Sequence, residues 1–348
     1  MNSVIKKTII KTVGVILTAL LLLFILDGIF SPKYITENRD GNITSEFYHV
    51  KTPLDAVFFG SSTVYNAVSP DLLWDRYGFT SYTRANASQT MWQSYYLMKD
   101  TVRSNRPGLI TLDVSFMKYG DDFFEEAANR KTIDGMRLSA DKIRCAKSSM
   151  WEEESLFSYV FPVFRFHSRW DELGGEDFRY AFRRPEVTYD GFIMEFDTTD
   201  EPEEYDRLEL KTPLFPQKAE DYLVKIIDYC AKEDIPLLLM KTPTFINTWF
   251  PEYDDRLRQI AGGYDGCDYV NFDYCADEIG LDRGRDYVDG HSHLNVEGAQ
   301  KFSLFFGEYI KERYGLPDHR TDDRYSGVWN DRYTRYCRDM EIGKAALK

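Results

Sequence analysis

The chain has 348 residues, 43% of them hydrophobic and 16% aromatic, enough to bury one substantial core, so a disordered or fibrous chain is excluded. Its formal net charge is −14 and no basic cluster is dense enough to track phosphates, which excludes nucleic acid as the main ligand. Five cysteines (Cys145, Cys230, Cys267, Cys275, Cys337) are an odd number without C-x-x-C spacing, which indicates neither a zinc knuckle nor a complete disulfide set; Cys267 and Cys275 could pair.

Lys6, Lys7 and Lys11 precede TVGVILTALLLLFILDGIF, residues 12–30, in which Asp27 is the only charge. At about 1.5 Å per residue that run reaches roughly 28 Å, close to the hydrocarbon thickness of a bilayer. The lysines before it keep the N-terminus cytoplasmic and send the rest of the chain outward. A cleaved signal peptide is the competing expectation, but the apolar run is long and no A-x-A site follows Asp27. Removing the three lysines and one aspartate of residues 1–30 leaves the outer portion at net −16.

Residues 31–52 read as a polar stalk. DAVFFG, residues 55–60, then reads as a short buried strand stopping at a glycine turn. In SPDLLWDRYG, Ser69 is placed to cap a helix, Pro70 sits at its first position and Gly78 lies beyond its end. TSYTRA predicts a strand, QTMWQSYYLMKDTVRSN a helix and GLITLDVS another buried strand. The β-α-β-α-β order implies a parallel sheet.

From about 119 to 215 the rhythm gives way to acidic and aromatic text, expected to be a cap inserted at the C-terminal edge of the sheet, where open α/β folds place their ligands. It resumes with KAEDYLVKIIDYCAKED, which puts Leu223, Ile226, Ile227, Cys230 and Ala231 on one helical face, followed by the strand PLLLMKTP. EYDDRLRQIAGGY and DYVNF form another helix and strand, and Val296 to Tyr314 the last helix of the domain, with Ala299, Phe302, Phe305, Phe306, Tyr309 and Ile310 in a stripe. The expected fold is a three-layer α/β/α domain with about five parallel strands over residues 53–316, with a charged, aromatic extension at 317–348.

Hydroxyl attack on an ester needs a serine at an exposed turn, a histidine to take its proton, a carboxylate to orient the histidine and N–H donors for the oxyanion. FFGSSTVYNA ends the first strand with Gly60, Ser61 and Ser62, and YVDGHSHLNVEGAQKFS places Asp289, His291 and His293 in one loop before the last helix of the domain. Two of only five histidines thus fall at the expected mouth of the sheet. His291, with Asp289 or Asp286 as neighbour, is an alternative base, and His291-x-His293 with Asp289 could instead hold zinc. No glycine-rich phosphate or dinucleotide fingerprint follows the first strand.

These two blocks resemble the SGNH/GDSL hydrolase superfamily, whose first block is G-D-S or G-S-S after strand one and whose last is D-x-x-H-L-N-x-x-G-A. Ser61 stands where Asp is usual, and His293, Leu294, Asn295, Gly298 and Ala299 match the last block. The resemblance implies a flavodoxin-like fold, with Ser62 as nucleophile, His293 as base and Asp289 as its acid. Asp289 lies four residues before His293 instead of three, and Gly290 occupies the usual place of the acid. In SYTRANASQT, Asn86 and Ser88 are candidate oxyanion donors. FRFHSRWDEL is similar to a His-x-Arg-Trp element of the membrane-anchored bacterial branch that includes the lipoteichoic-acid D-alanylation protein and alginate O-acetylation proteins. That element makes His167 and Arg169 candidate substrate contacts, against an ordinary ion pair of Arg169 with Asp171 or Glu172. The branch implies action on a cell-wall or exopolysaccharide substrate beside a polytopic membrane acyl-transfer partner, with no cofactor. A catalytically silent polymer-binding or scaffold subunit on the same fold is the expectation from a different class.

Overall fold

The computed structural model describes residues 3–123, 125–198, 212–245 and 249–347, without the side chains of Ser3 and His291. Residues 199–211 of the expected cap, and the side chain of His291 as alternative base or zinc ligand, therefore lie outside the described residues.

Five strands form one parallel sheet in the order β2-β1-β3-β4-β5: β1 (Ala56–Gly60), β2 (Ser81–Ala85), β3 (Leu109–Asp113), β4 (Leu237–Lys241) and β5 (Cys267–Asn271). This is the doubly wound order whose switch point lies between β1 and β3. Successive side chains of a strand point to opposite faces, and the apolar runs feed two cores. Val57, Phe59, Leu237 and Leu239 pack with Leu97, Met98, Leu223 and Ile226 of the helices Met91–Ser104 and Gln217–Lys232. Ala56, Phe58, Leu238 and Met240 pack with Leu73, Ala299, Phe302 and Phe306 on the other face. Both faces are covered, so the central strands β1, β3 and β4 read as near-continuous hydrophobic runs rather than alternating ones.

The expected signals around the Pro70–Tyr77 helix all appear: Ser69 Oγ accepts from the Leu72 N–H at 3.5 Å, Pro70 begins the helix and Gly78 ends it at φ +80°. The last helix of the domain spans Val296–Tyr314, capped by Asn295, whose Oδ1 accepts from the Glu297 and Gly298 N–H groups. All five cysteines are free thiols, so Cys267 and Cys275 do not pair.

Residues 31–52, expected as a polar stalk, pack as part of the domain. Ile43 and Phe47 join the core, and the Tyr82 hydroxyl donates to the Ile43 carbonyl at 2.7 Å. The polar residues that suggested a stalk are buried against specific partners. Asn42 Nδ2 donates to the Lys33 and Tyr34 carbonyls, while Glu46 accepts from the Val187 N–H at 2.8 Å and the Thr188 hydroxyl at 2.5 Å. The C-terminal extension also packs. Its helix Asp323–Ala346 stacks Trp329 on Trp74 with centroids 5.8 Å apart, and buries Tyr336 and Met340.

The insertion leaves the C-terminal end of β3 and runs through five short helices, from Glu126–Asp134 to Gly175–Arg179. It returns as an extended segment along the sheet edge: the Thr83 N–H donates to the Asp190 carbonyl and the Ile193 N–H to the Tyr65 carbonyl. Gly191, at φ +90°, lies against β2, and a Cβ there would fall 1.8 Å from the Thr83 carbonyl oxygen. The same segment delivers Glu195, whose carbonyl accepts from the Val296 N–H at 2.7 Å.

The helix Ser3–Phe30 is long and apolar enough to cross a membrane. Its side chains are exposed for most of its length, and only its C-terminal end meets the insertion: Phe24 stacks on Phe182, and the Val163 N–H donates to Asp27 Oδ1 at 2.7 Å.

Candidate active site

β1 stops at Gly60 because the next residues must turn sharply. Gly60 adopts φ +156°, and a Cβ there would meet Val64 at 2.5 Å and Asp113 at 2.8 Å. The chain then enters the short helix Ser62–Tyr65. Ser62 is its first residue and is half-buried. Its own N–H is one of the donors that a helix start leaves without an intrahelical partner.

Across the sheet mouth, Tyr287–Val288 (β6) and His293–Leu294 (β7) pair antiparallel, Val288 opposite His293. The pairing holds the intervening turn, in which Asp289 and Gly290 both take left-handed backbone, φ +50° and +59°. Two left-handed residues fold Asp289, four positions before His293 in sequence, back toward the imidazole.

His293 Nε2 lies 2.7 Å from Ser62 Oγ. His293 Nδ1 lies 3.0 Å from Ser292 Oγ and 3.3 Å from Asp289 Oδ2. Ser292 Oγ donates its own hydrogen to the Asp289 carbonyl at 2.7 Å, so toward the imidazole it acts as an acceptor. Two acceptors at Nδ1 assign the proton there and leave the Nε2 lone pair for the serine hydroxyl. The hydrogen bond from His293 lowers the Asp289 pKa against the opposing effect of its partial burial.

Ser292 and Glu195 were not anticipated from the sequence. Burial raises the Glu195 pKa, and the Asp289 charge pushes it further up while His293 opposes. Ser292 could have been noticed as the only hydroxyl in the D-G-H-S-H turn; Glu195 had no local signal, since the insertion brings it from 98 residues before His293 in sequence.

The other candidates are placed differently. Asn86 is fully buried, with Nδ2 donating to Gln89 Oε1 at 2.8 Å and Thr44 Oγ1 at 3.3 Å, so both amide hydrogens are taken and the expected side-chain oxyanion donor is corrected. Ser88 is half-buried in left-handed backbone at φ +53°. The Ala87 N–H is used by the Asp40 carboxylate, whose pKa burial raises and Lys131, 3.2 Å away, opposes. Arg169 serves the end of the N-terminal helix, not the serine: Nη1 donates to the Phe30 carbonyl at 2.6 Å, with Asp177 and Glu172 both at 3.3 Å. His167 is exposed, its Nδ1 3.1 Å from the Phe164 carbonyl. Neither makes a described contact with Ser62 or His293.

A zinc site at this loop would need the His293 imidazole, whose Nε2 faces Ser62 and whose Nδ1 faces Ser292 and Asp289. Among the described residues no group of three His, Cys, Asp or Glu side chains is arranged to hold a metal ion.

No protein-family model matches the chain, and no curated protein matches it. Solved structures do. A GDSL-like lipase from Bacteroides thetaiotaomicron is 10% identical with a TM-score of 0.37, over 79% of this chain and 99% of that one. A protein designated an acylhydrolase from Bacteroides fragilis is 11% identical with a TM-score of 0.36, over 82% of this chain and 100% of that one. A protein designated a platelet activating factor from Streptococcus pneumonia is 11% identical with a TM-score of 0.39, over 77% of this chain and 91% of that one.

The arrangement can activate a serine hydroxyl: were Oγ to bond a carbon, Nε2 could take the Ser62 proton, and the carboxylate and hydroxyl at Nδ1 would hold the imidazolium.

Proposed function

We propose that the protein is a membrane-anchored, extracytoplasmic SGNH-type serine esterase or O-acyltransferase that moves acyl groups of a cell-envelope polymer through an acyl-serine intermediate. The 2.7 Å contact between His293 Nε2 and Ser62 Oγ carries this reading, because it joins residues 231 positions apart in a geometry that can activate a hydroxyl. Ser62 attacks the acyl carbonyl, His293 accepts its proton and returns it to the leaving alkoxide, and the acyl group stays on Oγ. Water then completes hydrolysis, or a sugar hydroxyl completes transfer. The Ser62 N–H, at the start of the helix Ser62–Tyr65, would serve as an oxyanion donor. The apolar helix Ser3–Phe30 with Lys6, Lys7 and Lys11 at its start supports a single span with the domain outside. Transfer would require acyl groups delivered across the bilayer by a polytopic partner.

A silent scaffold reading is favoured by one observation: Asn86 Nδ2 and the Ala87 N–H, two donors beside the first strand's loop, are both used inside the protein. The full chain in detergent, treated with a fluorophosphonate and followed by intact mass, separates the two. The enzyme reading expects one adduct, absent in Ser62→Ala and formed about 10²–10⁴ times more slowly in His293→Ala. A folded wild type that forms no adduct and does not turn over p-nitrophenyl acetate would leave the scaffold.

A further inference from the structure

Outside the serine site, a cavity of about 400 Å³ lies where the N-terminal helix meets the insertion, lined on its apolar side by Phe24, Gly28 and Phe182. Its polar side is cationic in a chain of net charge −14. Two of its basic residues are already committed. Lys33 donates to the Gly28, Ile29 and Ser31 carbonyls at the end of the helix, and Arg183 pairs with Glu186 at 2.7 Å.

Three others, Arg137, Lys142 and Arg184, have no carboxylate within ion-pair distance among the described residues. The Lys142 ammonium reaches only the Asp134 and Met136 carbonyls, at 3.4 and 3.2 Å. Arg184 reaches the Gly41 carbonyl, and Arg137 lies over the Tyr48 ring, 4.2 Å from its centroid. Two carboxylates line the cavity: Asp27 Oδ1 takes the Val163 N–H, and Asp134, 3.6 Å from Arg130 Nη1, is a counter-charge shared by Arg130, Lys142 and Arg184, so cations outnumber carboxylates there. Lys142 is 6% exposed, and burial is the main effect lowering the pKa of both Lys142 and Arg184. Lys142 and Arg184 are thus withdrawn from water with fewer carboxylates than cations around them, which is costly, and an anion supplied from outside reduces that cost.

We infer that this cavity holds the phosphate headgroup of an anionic glycerophospholipid, with the guanidinium and ammonium groups of Arg137, Lys142 and Arg184 on the phosphate oxygens and the acyl chains along the exposed flank of the Ser3–Phe30 helix. Guanidinium groups match phosphate geometry, and the volume suits a small headgroup. The source is committed to lipid by position. Phe24 and Phe182 stack at the cavity's apolar side, at the end of the helix that would leave the bilayer. Beside them Trp170 and Phe178 are 72% and 59% exposed, as aromatic residues are at a membrane interface. Residues 162–184 carry five arginines against four carboxylates, unlike the acidic remainder.

The inference rests on the anchor reading, and the test separates the two. The full chain is purified in detergent and mixed with equal phosphatidylglycerol and phosphatidylcholine, and the lipid it retains is counted by native mass spectrometry. Wild type should retain one phosphatidylglycerol at about tenfold higher occupancy than phosphatidylcholine. Lys142→Gln with Arg184→Gln should bring the two lipids level. Arg137→Gln, at an exposed rim position, should reduce the preference without risk to folding. Equal retention in wild type, or an unchanged preference in folded variants, overturns the site. Displacement of phosphatidylglycerol by millimolar inorganic phosphate alone overturns the lipid assignment in favour of a free anion. Flotation with phosphatidylcholine vesicles reports the anchor independently: a chain that floats but shows no headgroup preference loses the site and keeps the anchor.

Discussion

The acid of this site should matter less than a buried triad aspartate does. Asp289 is 65% exposed at its side chain and 3.3 Å from Nδ1, while Ser292 Oγ offers a second acceptor at 3.0 Å. Replacing a buried triad acid by its amide costs about 10⁴ in rate because the imidazole then takes the wrong tautomer. Here Asp289→Asn leaves the Ser292 acceptor in place, and asparagine tolerates the left-handed backbone at φ +50°, so the change removes charge without unfolding the turn. Solvent screening of an exposed carboxylate reduces its contribution further. The expected loss is about 10–100-fold in the rate of phosphonylation by the fluorophosphonate, or about 1.4–2.7 kcal/mol of barrier. Ser292→Ala alone should cost a similar amount. Asp289→Asn with Ser292→Ala, which leaves the Nδ1 proton at most a neutral amide oxygen, should approach the loss seen in His293→Ala. Pseudo-first-order phosphonylation of the full chain and its four variants, followed by intact mass, supplies all five rates. A double variant no slower than either single variant would refute the shared-acceptor account, and so would a single Asp289→Asn loss near 10⁴.

Other outcomes follow from the same contacts. Gly290→Ala places a Cβ on left-handed backbone at φ +59°, costing about 1 kcal/mol; it should slow acylation more than it lowers the melting temperature, because the turn carries Asp289. Asn86→Ala should behave as a folding variant, losing about 1–3 kcal/mol in urea titration as Gln89 and Thr44 lose a buried partner, with acylation per folded molecule unchanged. Trp329→Ala should cost about 3–5 kcal/mol, since its ring is fully buried against Trp74 and its indole N–H bonds Thr52 Oγ1. Glu186, hydrogen-bonded by His49 and Arg183, has its pKa held down at about 2 against an ordinary 4.5. Its stabilisation is complete above pH 4.5 and disappears as pH falls toward 2, so Glu186→Gln should destabilise at pH 7 and match wild type near pH 2.

What was legible in the sequence was local. The strands β1, β3 and β4 are short apolar runs, Ser69, Pro70 and Gly78 mark one helix, and the stripe from Ala299 to Ile310 marks another. Each is decided by neighbours within a few positions. Ser62 and His293 were singled out because both lie beside strand ends or helix starts, where an open α/β sheet gathers its loops. The stalk failed for the opposite reason. Asp40, Asn42, Thr44 and Glu46 are polar in sequence and buried in space, each compensated by a partner such as Ala87, Lys33, Asn86 or Thr188 that no local pattern announces. Asn86 and Arg169 are likewise recruited by distant parts of the chain, Thr44 and Phe30 respectively, while the ion pair of Arg169 with Glu172, the alternative expected from the sequence, is present. The terminal helix Asp323–Ala346 hid its role because its buried residues, Tyr325, Trp329, Tyr336 and Met340, are widely spaced among charges.

The packed connector changes how an anchored enzyme would meet its substrate. A flexible linker of about 20 residues would let the domain wander roughly 25 Å from the end of its anchor. Here the path from that end is fixed bond by bond. Lys33 closes the helix carbonyls, Asn42 grips the Lys33 and Tyr34 carbonyls, and Asp40 accepts the Ala87 N–H in the loop after β2. Glu46 then pins the returning segment of the insertion through Val187 and Thr188, seven residues before Glu195 comes up beside Asp289 and His293. With the helix in a bilayer, the serine would stand at one height and one orientation above it. Such a site suits an acyl donor presented at a fixed place by a membrane partner, whereas a freely diffusing ester would gain nothing from the constraint.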